Sequence, residues 1–105
     1  MDKPVLRYLP IFRDDLLEAI TYIRDTLQNN KAANDLVDAV EKAIVERSTI
    51  LESFEPYQSV KERKHLYYRI YVNNYVVYYV VIHEEQTIME MRRFLYNKRN
   101  RDTIV

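Results

Sequence analysis

Arginine, lysine and tyrosine side chains are concentrated in the second half of the chain, where together they could bind a polyanion. Residues 60–105 contain 9 Lys/Arg and 5 Asp/Glu, a balance of +4, whereas residues 1–59 contain 7 and 11, a balance of −4. Lys and Arg neutralise phosphates, while tyrosine rings stack on bases. The second half is therefore typical of a surface that meets a nucleic acid or another polyanion.

Metal-free cleavage of RNA would require specific catalytic groups in this half of the chain. A base must remove the proton of the 2′-hydroxyl, cations must hold the charge of the phosphorane, and an acid must protonate the leaving oxygen. A tyrosine, a histidine or a lysine could transfer protons and arginines could stabilise charge, so the candidate catalytic residues are Arg69, Arg92, Tyr96 and Arg99. The candidate residues for binding nucleic acid or another target are Lys61, Arg63, Lys64, His65, Tyr67, Tyr71, Tyr78, Lys98 and Arg101.

Several kinds of chemistry are excluded by the residue types that the chain lacks. It has no cysteine, so it forms no disulfide or thiolate metal site, and its two histidines are far apart in sequence. It has no glycine, which excludes the glycine-rich phosphate loops of nucleotide-binding enzymes. We therefore expect neither a cofactor nor a metal. The lack of a signal-peptide pattern and of a long apolar run favours a cytoplasmic protein.

The length of 105 residues suits one domain, residues 1–105, whose first part is helical. "PVLRYL", residues 4–9, predicts a short strand. Apolar residues then recur at steps of three and four, which predicts one helix over about residues 11–28 and, after the break at "QNNK", a second helix to about residue 53.

After residue 65 the apolar period changes to two. "HLYYRIYV" and "YVVYYVVI" predict two strands, and Asn73-Asn74 between them predicts a tight hairpin turn. A third strand should follow over about residues 87–95. The sequence therefore predicts an α+β fold of order β-α-α-β-β-β, with a helical hairpin packed on one face of a small, mainly antiparallel sheet.

The hairpin turn assigns side chains to the two faces of the sheet, because residue i then opposes residue 147 minus i. The predicted core face carries Leu66, Tyr68, Ile70, Val72, Tyr75, Val77, Tyr79 and Val81, with Met89, Met91 and Leu95 from the third strand. The other face carries His65, Tyr67, Arg69, Tyr71, Val76, Tyr78 and Val80, with Glu90, Arg92 and Phe94. We expect this second face to be open, with Arg69, Tyr78 and Arg92 in one cross-strand row.

With these elements in place, the chain resembles the toxins of the RelE/ParE superfamily, the growth-arresting halves of type II toxin–antitoxin modules. "YLPIFRDDLLEAITYI" is similar to the family's strand-to-helix entry, and "NNKAANDLVDAVEKAIVERSTILESFEP" to its second helix and loop. "YRIYVNNYVVYYVV" is similar to the central hairpin, and "RRFLYNKRNRD" to the last strand and its basic exit. The resemblance implies a cognate antitoxin as partner, in a hetero-oligomer, with no membrane involved.

The superfamily contains two mechanisms, and the first is ribosome-dependent cleavage of mRNA. By the resemblance, Tyr67 and Arg69 occupy the places of two strand lysines of the RelE type, and Arg99 that of an arginine after the last strand. The arginine expected beside the hairpin tyrosine is replaced by Val76, and the tail tyrosine would fall at Val105. The dense cations and phenols of the second half favour this metal-independent endoribonuclease, acting on the ribosome and mRNA.

The second mechanism, that of the ParE type, is inhibition of DNA gyrase without nuclease activity. "RFLYNKRN" is similar to the strand exit of that branch, with Tyr96 where a histidine is common. The missing nuclease residues and the neutral overall charge favour this alternative. They also leave open a degenerate toxin that only binds its antitoxin. Between these alternatives, the many cations and phenols of the second half make ribosome-dependent mRNA cleavage the mechanism that we expect.

Overall fold

The helices and strands follow one another in the predicted order. A computed structural model of the chain describes residues 3–53, 56 and 65–98. It contains strand β1 (Val5–Tyr8), helix α1 (Pro10–Thr21) continued by a π-helical turn (Tyr22–Thr26), helix α2 (Asn30–Arg47) and strands β2 (Tyr67–Val72), β3 (Tyr75–His83) and β4 (Thr87–Tyr96). The predicted order β-α-α-β-β-β is confirmed. Neither helix in this described part is both long and apolar enough to cross a membrane.

The two helices are joined by a short link that manages without glycine. Gln28 takes the left-handed conformation, with φ 51°, and the Asn29 amide donates to the Ile23 carbonyl at 3.1 Å, which closes the end of the first helix. The Asn29 side chain then accepts a hydrogen bond from the Ala32 amide at 3.0 Å and caps α2. The predicted break at "QNNK" is therefore a helix end followed directly by a helix start.

Helix α2 ends at Arg47, earlier than the predicted end near residue 53. The hydroxyls of Ser48 and Thr49 donate to the carbonyls of Val45 and Glu46, at 2.6 and 2.9 Å. Serine and threonine hydroxyls that bind the preceding turn in this way compete with continued helical bonding. The chain leaves the helix there.

The four strands form one mixed sheet in the order β1-β4-β3-β2. β1 runs parallel to β4, and the other neighbours are antiparallel. Asn73, with φ 54°, supplies the positive backbone angle that the two-residue turn between β2 and β3 requires. The predicted hairpin register is confirmed, because Arg69 pairs with Tyr78 and Val72 with Tyr75.

Both helices pack on one face of the sheet, α1 against β4 and α2 against β2. The core between them combines Phe12, Leu36, Val40 and Ile44 of the helices with Tyr68, Ile70, Val77, Tyr79, Met89 and Met91 of the strands. The core face predicted for β2 and β3 is therefore confirmed within the strands. Leu66, which precedes β2, is exposed and does not join it.

The opposite face of the sheet is not open at its centre, so that prediction is wrong. A second cluster of buried side chains lies there, and we call it the second-face cluster: Tyr67, Val76, Tyr78, Val80 and Leu95. β3 lies between β4 and β2, and its residues Val76, Tyr78 and Val80 on this face are fully buried. Tyr78 has no exposed surface. A tyrosine in this position contributes packing and cannot stack on a base from solution.

A β-bulge in β4 changes which residues face the helices. Tyr79 pairs with Met91 but Tyr78 pairs with Arg93, so Arg92 is an extra residue on β4. From there the alternation is inverted. Phe94 joins the helix-side core and Leu95 joins the second-face cluster, the reverse of the prediction. The predicted row of Arg69, Tyr78 and Arg92 is corrected to Arg69, Tyr78 and Arg93.

Candidate functional site

Two of the predicted residues on the second face, Arg69 and Tyr71, lie side by side on the edge strand β2. The Arg69 guanidinium carbon lies 5.7 Å from the centroid of the Tyr71 ring, a cation–π distance. Tyr71 is 56% exposed and Arg69 is half-buried. The Arg69 carbonyl accepts a hydrogen bond from Arg47 Nη1 at 2.9 Å, which ties this part of β2 to the end of α2. A cation and an exposed ring are therefore held side by side.

The next predicted arginine on this face, Arg92, is engaged by a buried carboxylate. Arg92 Nε lies 2.6 Å from Glu90 Oε1, and the other oxygen of Glu90 lies 2.5 Å from Arg7 Nε. Glu90 is buried, so its charge is little screened by water. The Arg92 guanidinium also lies 6.0 Å from the Tyr67 ring, which is buried in the second-face cluster. Arg92 is thus built into an ion-pair network that offsets much of its charge.

Tyr96 lies on the helical side of the sheet, opposite to Arg69 and Tyr71. Its ring packs edge-on against Tyr75, with 5.6 Å between centroids, and Tyr75 stacks on Phe94 at 4.9 Å. Phe94 belongs to the helix-side core. The bulge explains this placement, since regular alternation would have put Tyr96 on the face of Arg92. Of the predicted catalytic residues that the structure describes, Tyr96 is therefore on the face opposite to Arg69 and Arg92.

Tyr96 lines a groove of about 780 Å³ that the sequence did not indicate. The groove lies between α1, the π-helical turn, the start of α2 and the ends of β3 and β4. Its lining residues are Asp15, Glu18, Ala19, Tyr22, Ile23, Leu27, Asn29, Ala32, Asn74, Tyr75, Phe94 and Tyr96. Asp15, Glu18 and Tyr22 recur at steps of three and four, which places them on one stripe of the helix. That stripe is the signal that could have indicated the groove.

One wall of the groove is fixed by an ion pair between α1 and the bulge. Arg93 Nε and Nη2 donate to the two carboxylate oxygens of Asp15, at 2.7 and 3.0 Å. The Phe94 amide donates to Asp15 Oδ2 at 3.0 Å. The hydrogen bond with Asp15 raises the pKa of Arg93 above its ordinary value, so the guanidinium stays charged. The pair holds the inverted part of β4 against the helix.

The remaining predicted residues precede β2 or follow β4 in the sequence. His65 is half-buried just before β2, and Lys98 is exposed just after β4. Lys61, Arg63, Lys64, Arg99 and Arg101 lie outside the described residues. The roles proposed for these residues stay predictions.

Comparison of the chain with models of protein families and with curated protein sequences gives no match.

Proposed function

We propose that the protein is the toxin of a type II toxin–antitoxin module, of the RelE/ParE kind. The support is the sequence resemblance over nearly the whole chain, together with an observed α+β order of elements that agrees with it. A cognate antitoxin is then the expected partner, in a hetero-oligomer. An acidic antitoxin segment would suit the second half of the chain, with its balance of +4.

We place inhibition of DNA gyrase, the ParE mode of action in the cytoplasm, before the ribonuclease mechanism that the sequence led us to expect. One observation carries this choice: Tyr96 and Arg69 lie on opposite faces of the sheet. A proton-transfer group and a charge-stabilising group must meet at one phosphate for RNA cleavage. Burial of Tyr78 and the pairing of Arg92 with Glu90 weaken the nuclease mechanism further.

Ribosome-dependent cleavage of mRNA is the second candidate, and the Arg69–Tyr71 pair is the observation that favours it. The ring of Tyr71 is exposed and could stack on a base, while Arg69 beside it could contact a phosphate. A cleavage site of this kind would be completed by residues outside the described part of the chain, such as Arg99. The third possibility, a toxin that only binds its antitoxin, requires neither surface to act.

A matched pair of tyrosine variants tests these alternatives. Tyr96 and Tyr71 are 42% and 56% exposed on opposite faces, so Tyr96→Ala and Tyr71→Ala remove similar side chains from different surfaces. The purified protein and both variants would be assayed for inhibition of gyrase supercoiling. They would also be tested for mRNA breaks in a purified translation system, mapped by primer extension.

We expect gyrase inhibition that Tyr96→Ala weakens at least tenfold and Tyr71→Ala leaves intact. Ribosome-dependent mRNA breaks that disappear in Tyr71→Ala and Arg69→Ala would overturn the gyrase proposal and establish the second candidate. Arg13→Ala is the control for Arg69→Ala, because Arg13 lies over the Tyr8 ring at the same 5.7 Å. If neither assay responds, the protein is not an active toxin of either branch.

A further inference from the structure

The groove beside Tyr96 has an aromatic wall that faces solvent. Tyr22 and Tyr96 are exposed, and Tyr75 between them is half-buried. Tyr75 packs edge-on against Tyr96 and stacks on Phe94. Burial raises the pKa of Tyr75, as do the neighbouring phenols of Tyr96 and Tyr22, so its ring stays neutral at physiological pH. Neutral rings present the electron-rich faces that attract cations.

The charges that line this groove are negative. Among the described lining residues, Asp15 and Glu18 are acidic and none is Lys or Arg. Asp15 is already bound by Arg93 and by the Phe94 amide. No hydrogen bond or ion pair joins the Glu18 carboxylate to another residue in the part of the chain that the structure describes. The charge of Glu18 acts on the Arg93 guanidinium and contributes to its raised pKa, but no hydrogen bond joins the two described side chains, so the oxygens of Glu18 remain able to accept hydrogen bonds from a ligand.

We infer that this groove binds an arginine side chain presented by a partner protein. The guanidinium would lie against the rings of Tyr22 and Tyr96 and donate hydrogen bonds to Glu18. Arginine suits the groove better than lysine, because its planar group stacks on aromatic faces and is more weakly hydrated than an ammonium. The opposite charges of the groove and the guanidinium make the pairing complementary.

The size and lining of the groove indicate a protein segment as the source of the arginine. A volume of about 780 Å³ is far larger than one side chain fills. The remaining wall is apolar, with Ala19, Ile23, Leu27 and Ala32 from the helical elements. These residues would contact apolar neighbours of the arginine in the partner segment, so that binding combines one charged anchor with hydrophobic burial.

The groove shares Tyr96 with the surface on which we expect gyrase inhibition to depend. Binding of an arginine peptide can be measured without gyrase, so this inference and the proposed function can fail separately. The groove lies on the helical side of the sheet, whereas the Arg69–Tyr71 pair lies on the other side. The acidic groove would select a basic segment, in contrast to the acidic antitoxin segment expected at the basic half of the chain. The two surfaces can therefore be tested separately.

The probe is the peptide acetyl-Leu-Arg-Leu-amide, titrated into the full chain carrying ¹³C-labelled tyrosine rings and followed by NMR. We expect saturable shifts of the Tyr22, Tyr75 and Tyr96 ring signals, with Tyr71 unchanged. The same peptide with citrulline in place of arginine keeps the shape and loses the charge, and it should bind at least fivefold more weakly. A peptide with lysine should also bind more weakly than the arginine peptide.

Glu18→Gln should weaken binding of the arginine peptide at least fivefold, while Glu46→Gln, an exposed acidic residue on α2, should leave it unchanged. Both variants change surface residues, and their backbone spectra would verify the fold. Shifts that never saturate, equal binding of the citrulline peptide, or an unaffected Glu18→Gln variant would each overturn the inference. Equal binding of the lysine peptide would overturn the choice of arginine. None of these outcomes depends on gyrase or the ribosome.

Discussion

Replacing Asp15 with alanine should destabilise the protein far more than the loss of a surface ion pair would. The Asp15 carboxylate accepts two hydrogen bonds from Arg93 and one from the Phe94 amide. Its side chain is 8% exposed and that of Arg93 is 20% exposed. The substitution would leave a largely buried guanidinium and a backbone amide without their acceptor, next to the bulge that sets the faces of β4.

The size of the effect follows from the burial of the pair. Breaking a fully buried ion pair costs about 3–5 kcal/mol. Because Arg93 retains some contact with water, we expect a loss of about 3 kcal/mol in the free energy of unfolding of Asp15→Ala. Asp15→Asn keeps an oxygen for the Phe94 amide and loses the ion pair, so its loss should be smaller. In a small domain the expected change is a large part of the total stability.

Urea unfolding followed by circular dichroism measures this change. With a denaturant dependence of about 1.5 kcal/mol per molar urea, Asp15→Ala should lower the midpoint by about 2 M. The matched control is Asp25→Ala, which removes a bidentate pair of the same chemistry, with Arg24 at 2.9 and 3.2 Å, from an exposed position. We expect no measurable shift in the control. Equal midpoints for Asp15→Ala and Asp25→Ala would refute the reasoning.

Three further predictions concern buried polar groups. Tyr79→Phe removes a hydroxyl that donates to the Leu51 carbonyl at 2.6 Å, so it should lower the free energy of unfolding by about 1 kcal/mol in urea titrations. Tyr71→Phe should leave the free energy of unfolding unchanged. Glu90→Ala should lower the free energy of unfolding by about 2 kcal/mol in the same assay, because Arg92 and the more exposed Arg7 lose their shared carboxylate; an unchanged midpoint would contradict this. Burial raises the pKa of Tyr79, so the stability that its neutral phenol contributes should be fully present below pH 10 and should be lost as the pH rises through the folded-state pKa. Absorbance at 295 nm should show this phenol ionising late in a pH titration. The late step should be absent in Tyr79→Phe.

Much of the fold follows from local patterns in the sequence. The helical and strand periods gave the order of elements, and Asn73-Asn74 fixed the register of β2 and β3, which the structure confirms. These signals are local, because a turn and its flanking alternation determine how two adjacent strands pair. The end of α2 was missed since it depends on hydroxyl groups of Ser48 and Thr49 that also occur within helices.

The candidate site was harder to predict because it depends on a contact between distant parts of the chain. The sequence of β4 contains no local signal for the bulge at Arg92. The bulge occurs next to an ion pair between Arg93 and Asp15, which is distant in sequence on α1. One extra residue moved Tyr96 to the helical side and Leu95 to the other. Burial was missed because the alternation assigns Tyr78 to a face of the sheet but does not say whether water reaches that face.

The left-handed conformation of Gln28 has a consequence for a glycine substitution in the link between the helices. A residue with a side chain in the left-handed conformation costs about 1 kcal/mol relative to glycine, so Gln28→Gly would relieve strain in the folded state. The substitution would also raise the backbone entropy of the unfolded chain, because glycine has more conformations available than glutamine and the chain has no other glycine. That change favours the unfolded state. The two effects oppose each other. The net change in stability of Gln28→Gly should therefore be small, and any change in the backbone there would act on Leu27 and Asn29, which flank Gln28 and line the groove.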